Sequence, residues 1–256
     1  MRKRISIGKL FVLLAVLCVP ISPITYAQKK PPCKANLAAC PDEGCGTRFD
    51  PNLNRRKNIR TDNQTATVRS LTFIKKLDDP ENFSQGDTRE ELTALGEGQI
   101  VTVAAFLLEA KAEGAESCNC GLTNKPDTDN HLVLVSKTTV DKFPVPSSRN
   151  AAAQKLIFKK REPESITAEF TPRVRLAHPN FTREKLQPFV NKRPQRALLV
   201  RVTGPLLFDS EHFIRHHLVR VNNWEIHPVL KLEFCETSNN CRVGSDAGWK
   251  SLDDLP

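Results

Sequence analysis

The sequence has few aromatic residues, few glycines and no catalytic signature of a common enzyme class. Phe, Trp and Tyr make up 6% of its 256 residues, and its 11 glycines and 18 prolines exclude a collagenous or low-complexity chain. The longest apolar run, at 10–21, is shorter than the roughly 20 residues that a membrane span needs. A glycine-rich phosphate loop, a Gly-x-Ser-x-Gly elbow and a His-Glu-x-x-His motif are all missing, so the enzymes that depend on them have no support.

The first 27 residues have the three parts of a secretory signal peptide. A basic start precedes the apolar run at 10–21, and Thr25 and Ala27 place small residues before a cut at Gln28. A membrane anchor is the alternative, but the run is too short for it. We therefore expect residues 1–27 to be cleaved, leaving an extracytoplasmic protein, periplasmic or secreted, with no integral membrane span.

Seven cysteines remain after this cleavage. They are Cys33, Cys40, Cys45, Cys118, Cys120, Cys235 and Cys241. In an oxidising compartment such cysteines form disulfides by default. Cys235 and Cys241 flank a short polar loop and are expected to pair, and the other five are expected to pair among themselves in a connectivity that the spacing leaves open. Because seven is odd, one thiol is free, intermolecular or a ligand.

The positive charge is concentrated in one part of the chain. The formal net charge is +9, and removal of the four basic residues in 1–27 leaves 34 basic and 29 acidic residues, a net charge of +5. Residues 141–201 hold 14 Lys and Arg against five Asp and Glu. Such a belt can bind an anionic polymer, either a nucleic acid or a glycan, or it can be a solvated face. The candidate ligand-binding residues are Arg173, Arg175, Arg201 and Trp224.

The hydrophobic pattern predicts a mainly β domain. Apolar residues alternate in five segments, 99–110, 131–136, 165–171, 197–208 and 226–235. A helix with Thr182 as its N-cap falls between the third and fourth of these strands. This order predicts a five-stranded OB-like Greek-key barrel with a helix between strands three and four. A five-stranded sandwich is the alternative, and it would not need that helix.

The composition predicts four parts along the chain. Residues 1–27 are the signal peptide, and residues 28–66 form an irregular arm that contains cysteines. Residues 67–236 form the OB-like barrel domain, which is long enough to bury a core. Residues 237–256 form a C-terminal tail.

Carboxylate and imidazole side chains concentrate near the loops that join strands one and two and strands four and five. Side chains spaced by two residues point to one side of a strand. Carboxylate oxygens and imidazole nitrogens suit a divalent metal such as zinc, manganese or iron. The candidate metal ligands are Asp127, Asp129, His131, His212 and His227, and the candidate catalytic bases are Glu211 and Glu225. The alternative is that these residues cap turns and make local hydrogen bonds.

Several short motifs resemble those of a group of uncharacterised exported bacterial proteins. They are ESCNC at 116–120, DxDxH at 127–131, EFTPR at 169–173 and WEIHP at 224–228. The resemblance covers roughly residues 96–235. It implies an extracytoplasmic domain, and it implies no substrate and no catalytic residue.

Three functions are compatible with these features. The first expectation is an exported binding module whose barrel rim, formed by the strand 1–2 and 4–5 loops, holds an anionic or polymeric ligand. The second is a metal-dependent hydrolase such as a phosphodiesterase, in which a metal ion activates water. The third is a disulfide-stapled structural protein of the cell envelope. The content of bound metal distinguishes the second from the others.

Overall fold

A computed structural model describes residues 33, 36–46, 49–60, 65–146, 150–215, 218–236, 241–242 and 244–256. The predicted signal peptide lies outside the described residues. The strands are β1 (Thr67–Arg69), β2 (Ile100–Ala112), β3 (Asn130–Val135), β4 (Ile166–Phe170), β5 (Leu198–Phe208), β6 (Trp224–Ile226), β7 (Lys231–Cys235) and β8 (Trp249–Ser251). The helices are α1 (Pro51–Lys57), α2 (Leu71–Lys75), α3 (Glu90–Leu95), α4 (Lys137–Lys142), α5 (Ala151–Arg161), α6 (Pro172–Arg175), α7 (Arg183–Asn191) and α8 (Ser210–Arg215).

Five of the strands close into a mixed barrel. β2 pairs antiparallel with β3 and β5, β3 pairs antiparallel with β4, and β5 pairs antiparallel with β6. The circuit is closed by a parallel pairing of β4 with β6. In chain order this is the predicted OB-like barrel, and α7 lies between its third and fourth strands, where Thr182 caps the helix by accepting from the Lys185 amide.

The predicted fifth strand is two strands in the structure. β6 ends before Pro228, and β7 then pairs with another stretch of β5 and with β8. Proline has no N–H to donate to a ladder, so the pairing is interrupted there. Gly204 in β5 permits the close approach, because a Cβ at this position would lie 2.2 Å from the Pro228 carbonyl oxygen.

The two flanking segments are more ordered than the sequence suggested. The segment predicted as an irregular arm contains α1, whose N-cap Asp50 accepts from two backbone amides. The predicted tail contributes β8 to the sheet, and Leu252 is buried in the main core. Neither segment has a long periodic pattern in its sequence. Contacts with the barrel hold each of them in place.

Disulfides connect the arm to itself and to the barrel. Their pairs are Cys33–Cys45, Cys40–Cys120 and Cys235–Cys241, so the predicted last pair is confirmed, and the structure supplies the pairing that the sequence left open. Cys118 is the reduced cysteine of the described chain, and it is buried. Three disulfides are typical of proteins that mature in an oxidising compartment. Within the described ranges, none of the helices combines the length and apolar content that crossing a membrane requires.

The alternation of side chains along β3 and β4 divides the barrel into an apolar inside and a polar outside. Leu132, Ala168 and Phe170 face the core. Their neighbours His131 and Glu169 lie opposite each other in the register of β3 and β4 and face outward. The outer face of β3, β4 and β6 therefore carries the charged side chains.

Candidate metal centre on the outer face of the barrel

Three metal-ligating side chains converge on this outer face from three parts of the chain. Asp129 comes from the end of the β2–β3 loop, Glu169 from β4 and His227 from the end of β6. Their exposed fractions are 0%, 4% and 0%. One ligand atom of each lies within 4.8 Å of the others. Asp129 Oδ2 is 3.5 Å from His227 Nε2, and Glu169 Oε2 is 3.3 Å from His227 Nδ1.

All three residues hold a buried polar atom that has no hydrogen-bond partner. These atoms are Asp129 Oδ2, Glu169 Oε2 and His227 Nε2. A buried polar atom without a partner normally costs about 1–3 kcal/mol, and more when it is charged. Three such atoms on facing side chains form an arrangement that one shared partner would satisfy.

Neighbouring side chains orient the three residues. His227 Nδ1 lies 3.0 Å from Glu225 Oε1, which can only accept as a carboxylate, so the Nδ1 proton points there. In the neutral tautomer with this proton, the lone pair of His227 Nε2 faces Asp129. Asp129 Oδ1 accepts from Asn119 Nδ2 at 2.8 Å, which leaves Oδ2 to face the histidine. Carboxylate–histidine pairs of this kind are the usual outer shell of a metal site.

The nearby cations neutralise other carboxylates. Lys57 Nζ from α1 lies 3.0 Å from Glu116 Oε2. Arg220 Nη2 lies 2.7 Å from Asp209 Oδ2 and 3.1 Å from Glu225 Oε2. Lys57 and Arg220 thus pair with Glu116, Asp209 and Glu225. Asp129 and Glu169 have no Lys or Arg partner among the described ion pairs.

The pKa values follow this division. Burial opposes ionisation of Glu116, but the Lys57 charge lowers the pKa of Glu116 to about 2. Burial and the negative charge of Glu116 raise the pKa of Asp129 to about 6. Burial, together with Glu225 and Glu116, raises the pKa of Glu169 well above its ordinary value. The charged forms of Asp129 and Glu169 therefore lack a cation.

A second group of ligand atoms adjoins the first through Asp129. Glu116, Cys118 and Asp129 each offer one atom within 4.8 Å of the others. Cys118 Sγ donates to Glu116 Oε2 at 3.1 Å. Burial and Glu116 raise the pKa of the Cys118 thiol well above its ordinary value, so it is a neutral thiol in the metal-free protein.

A small cleft opens beside Glu169. Its volume is about 80 Å³, and its lining includes His131, Thr167, His212 and Arg220. His131 Nε2 lies 2.8 Å from Thr167 Oγ1 and 3.4 Å from Glu169 Oε1. The hydrogen bond to Asp209 raises the pKa of His212. The cleft thus presents two imidazoles and a guanidinium next to a residue of the candidate centre.

The structure brings together two of the five metal ligands suggested by the sequence. Asp129 and His227 meet in the centre, and His131 lies beside it. His212 instead contacts Asp209, and Asp127 lies on the surface, 3.4 Å from Asn124 Nδ2.

The two candidate bases have different surroundings. Glu225 contacts His227 and Arg220. Burial opposes its ionisation, but the Arg220 charge lowers the pKa of Glu225. Glu211 lies half-buried in the first turn of α8.

The four side chains that the sequence suggested for ligand binding make contacts within the fold. Arg173 donates to the carbonyls of Cys40 and Pro41, Arg175 donates to the carbonyl of Thr128, and Arg201 pairs with Glu233 and Asp246. Trp224 is fully buried, and its indole N–H donates to the Asp78 carbonyl. These contacts engage Nη2 of Arg173 and Arg175, the Arg201 guanidinium and the Trp224 indole N–H.

The metal ligands predicted from the sequence do not include Glu169, Glu116 or Cys118. The alternating pattern puts Glu169 on a strand, where it is the one acidic residue in the segment ITAEF. A single acid on a strand whose neighbours are apolar is the signal that could have identified it, because burying a charge needs a partner. Glu116 and Cys118 precede Asp129 in the same loop, and only the fold shows that they meet it.

Comparisons with family models, with curated proteins and with solved structures found no match to this chain. The functional argument therefore depends on the geometry of the site.

Proposed function

We propose that this protein is a metal-dependent hydrolase whose metal ion is bound by Asp129, Glu169 and His227. The observation that carries the proposal is the convergence of three buried ligand atoms that have no hydrogen-bond partner. One imidazole with two carboxylates is a ligand set that suits zinc, manganese or ferrous iron.

The charges of the site support a divalent ion. The positive charges of Lys57 and Arg220 face Glu116, Asp209 and Glu225, whereas the described ion-pair partners of Asp129 and Glu169 are histidines. A divalent cation supplies the two positive charges that these two carboxylates lack. It also gives His227 Nε2 an acceptor for its lone pair and Asp129 Oδ2 a partner, and Glu169 would turn its Oε2 from Nδ1 towards the ion.

Hydrolysis follows from the number of protein ligands and from the neighbouring cleft. Sites with three protein ligands keep a coordination position for water, whose pKa the metal lowers so that it can act as a nucleophile. His131 lines the cleft, and its Nε2 lies 3.4 Å from Glu169 Oε1. We assign His131 the role of proton acceptor. Glu225 has its pKa lowered by Arg220 and orients His227, so it is a positioning residue.

The geometry favours this function over an anion-binding module. The guanidinium groups of Arg173, Arg175 and Arg201 are engaged by carbonyls and carboxylates of the fold. A ligand would have to displace those contacts. At the metal centre, Asp129 Oδ2, Glu169 Oε2 and His227 Nε2 have no hydrogen bond to lose.

We also propose that the protein is exported. The first 27 residues have the pattern of a signal peptide, and three disulfides fit maturation in an oxidising compartment. The experiments below therefore use protein that was exported before purification.

The test is the metal content of the exported protein, purified without a polyhistidine tag. We expect about one equivalent or more of zinc, manganese or iron in the wild type, and loss of this metal in Asp129→Asn and His227→Gln. Asp127→Asn is the matched control, because it removes an exposed carboxylate two residues from Asp129 and should retain the metal. Absence of metal from the wild type, after incubation with each of these ions, would contradict the proposal.

The hydrolytic part is tested separately with chromogenic esters. Bis(p-nitrophenyl) phosphate, p-nitrophenyl phosphate and p-nitrophenyl acetate distinguish a phosphodiesterase, a phosphomonoesterase and a carboxylesterase. We expect turnover of one class that a chelator abolishes and that His131→Gln reduces by 10²- to 10⁴-fold, the usual contribution of a general base. Full metal occupancy without turnover of any of these esters would restrict the function to metal binding.

A further inference from the structure

We propose that the centre holds a second metal ion, bound by Glu116, Cys118 and Asp129, so that Asp129 bridges two ions. The inference rests on the proposed function, because Asp129 also binds the first ion. It differs from that function in its ligands, since the second position has a sulfur ligand and the first has none.

The geometry of Asp129 makes a shared position feasible. Its side chain belongs to both groups of atoms that lie within 4.8 Å of one another. Its Oδ2 faces His227 Nε2 at 3.5 Å, and neither atom has a hydrogen-bond partner. Two-metal hydrolytic sites have ions about 3.5–4 Å apart, a distance that one bridging carboxylate spans.

Cys118 is in an unusual position for a reduced thiol. Its neighbour Cys120 forms a disulfide with Cys40, whereas Cys118 is 1% exposed and remains reduced. A structural cysteine normally packs as a small hydrophobic residue. Here the thiol instead donates to Glu116 Oε2 at 3.1 Å, and that carboxylate also accepts from Lys57 Nζ. The thiol thus lies among carboxylates and an ammonium group.

Metal binding at this position replaces the thiol proton. The S–H bond breaks, a metal–sulfur bond forms from the thiolate, and one proton leaves to solvent. Metal ions deprotonate a coordinating thiol in this way. The Glu116 side chain is 23% exposed and provides the route for the ion and for the proton.

Lys57 sets the order in which the two positions are filled. Its ammonium lies 3.0 Å from Glu116 Oε2 and repels a cation bound to the same carboxylate. The first position has no Lys or Arg partner among the described ion pairs. The second ion therefore binds more weakly than the first, and the sulfur ligand favours zinc or cobalt over manganese or magnesium.

The test is a titration of the metal-free, disulfide-intact protein with Zn²⁺ and Co²⁺. Equilibrium dialysis should give two equivalents of Zn²⁺, the second with at least tenfold lower affinity. Co²⁺ should produce a sulfur-to-cobalt charge-transfer band in the near ultraviolet as the second equivalent binds. In Cys118→Ser we expect one equivalent and no such band, whereas Ser117→Ala, the adjacent control, should behave as the wild type.

Four other results would overturn the inference in distinguishable ways. One equivalent in the wild type without a charge-transfer band would leave the first site in place and remove the second. One equivalent with a band would show that Cys118 binds the first ion, and no second position would exist. Absence of binding in the wild type would overturn the proposed function as well. A folded Cys118→Ser protein that still binds two equivalents would also contradict the assignment.

Discussion

Two buried clusters of charged side chains on this barrel differ in whether their polar atoms are hydrogen-bonded. Arg89 and Glu97 are 6% and 3% exposed, and their side chains meet through two bonds of 2.7 and 2.6 Å. Arg89 also donates to Ser210 Oγ and to the Phe208 carbonyl, and Glu97 Oε1 accepts from the Phe208 amide. In the candidate centre, Asp129, Glu169 and His227 are equally buried but each keeps an atom without a hydrogen bond.

The difference indicates what each cluster is for. A closed pair needs nothing beyond the chain, because each charge has a counter-charge and each donor an acceptor. An open cluster, in which buried polar atoms lack partners, destabilises the free protein until a ligand binds to those atoms. Burial alone therefore does not distinguish the structural ion pair from the proposed binding site.

The largest expected effect comes from opening the closed pair. Arg89→Met leaves Glu97 buried without its counter-charge, and breaking a buried pair in this way costs about 3–5 kcal/mol of stability. Urea unfolding measures the change. Arg55→Met is the control, since its pair with Glu43 is exposed and such pairs contribute about 1 kcal/mol or less. Equal losses of unfolding free energy in the two variants would show that the buried Arg89–Glu97 pair contributes no more than an exposed pair.

A somewhat smaller effect on stability is expected when a metal ion binds to Asp129, Glu169 and His227. An ion present at about 100 times its Kd stabilises the folded state by about 2.7 kcal/mol. For a chain of this size that corresponds to a rise in melting temperature of about 5–10 °C. Thermal unfolding with and without Zn²⁺ measures it, and the rise should be absent in His227→Gln. A rise of the same size in that variant would place the metal elsewhere.

Removing one charge from the open cluster should stabilise the metal-free protein. The pKa of Asp129 is raised from 3.8 to about 6, so the folded state resists its ionisation. The penalty is absent below pH 3.8, grows between pH about 4 and 6, and is complete above pH 6. In the presence of a chelator, Asp129→Asn should therefore gain about 1–3 kcal/mol at pH 7.5 and lose most of this gain at pH 4. Asp127→Asn should change little at either pH, and a destabilised Asp129→Asn protein at pH 7.5 would contradict the unpaired charge.

The smallest effect concerns the orientation of His227. Glu225→Gln removes the carboxylate that accepts from Nδ1, and loss of such an outer-shell partner typically costs 10- to 100-fold in metal affinity. Competition against a chelating dye measures the affinity. Glu109→Gln in β2 is the matched control and should bind as the wild type. An unchanged affinity in Glu225→Gln would show that packing alone orients the imidazole.

Much of the fold could be predicted from the sequence because alternation is a local property. The segments around β2, β3, β4 and β5 each show it, and the helix between β4 and β5 has its own cap at Thr182. The division of the last strand into β6 and β7 was less accessible. It depends on which part of β5 each half meets, and that is a long-range relation.

The candidate site was only partly predictable for the same reason. Asp129 and His227 were suggested by spacing and by their place next to OB-type loops. Glu169 could be placed on a strand, but its partners come from two other elements. Arg173 was suggested as a ligand contact because a sequence shows the charge and not the carbonyls of Cys40 and Pro41 that engage it. Those carbonyls lie 130 or more residues away, in a segment without a periodic pattern.

The Cys40–Cys120 disulfide bears on the order in which an exported chain would assemble the proposed site. It joins residues 80 positions apart and holds the segment with α1, and therefore Lys57, against the loop that carries Glu116. In an exported chain Cys40 emerges long before Cys120, and the bond forms only after both have left the reducing cytoplasm. If the chain is exported as we propose, the proposed centre would take its metal from the ion pool outside the cytoplasm.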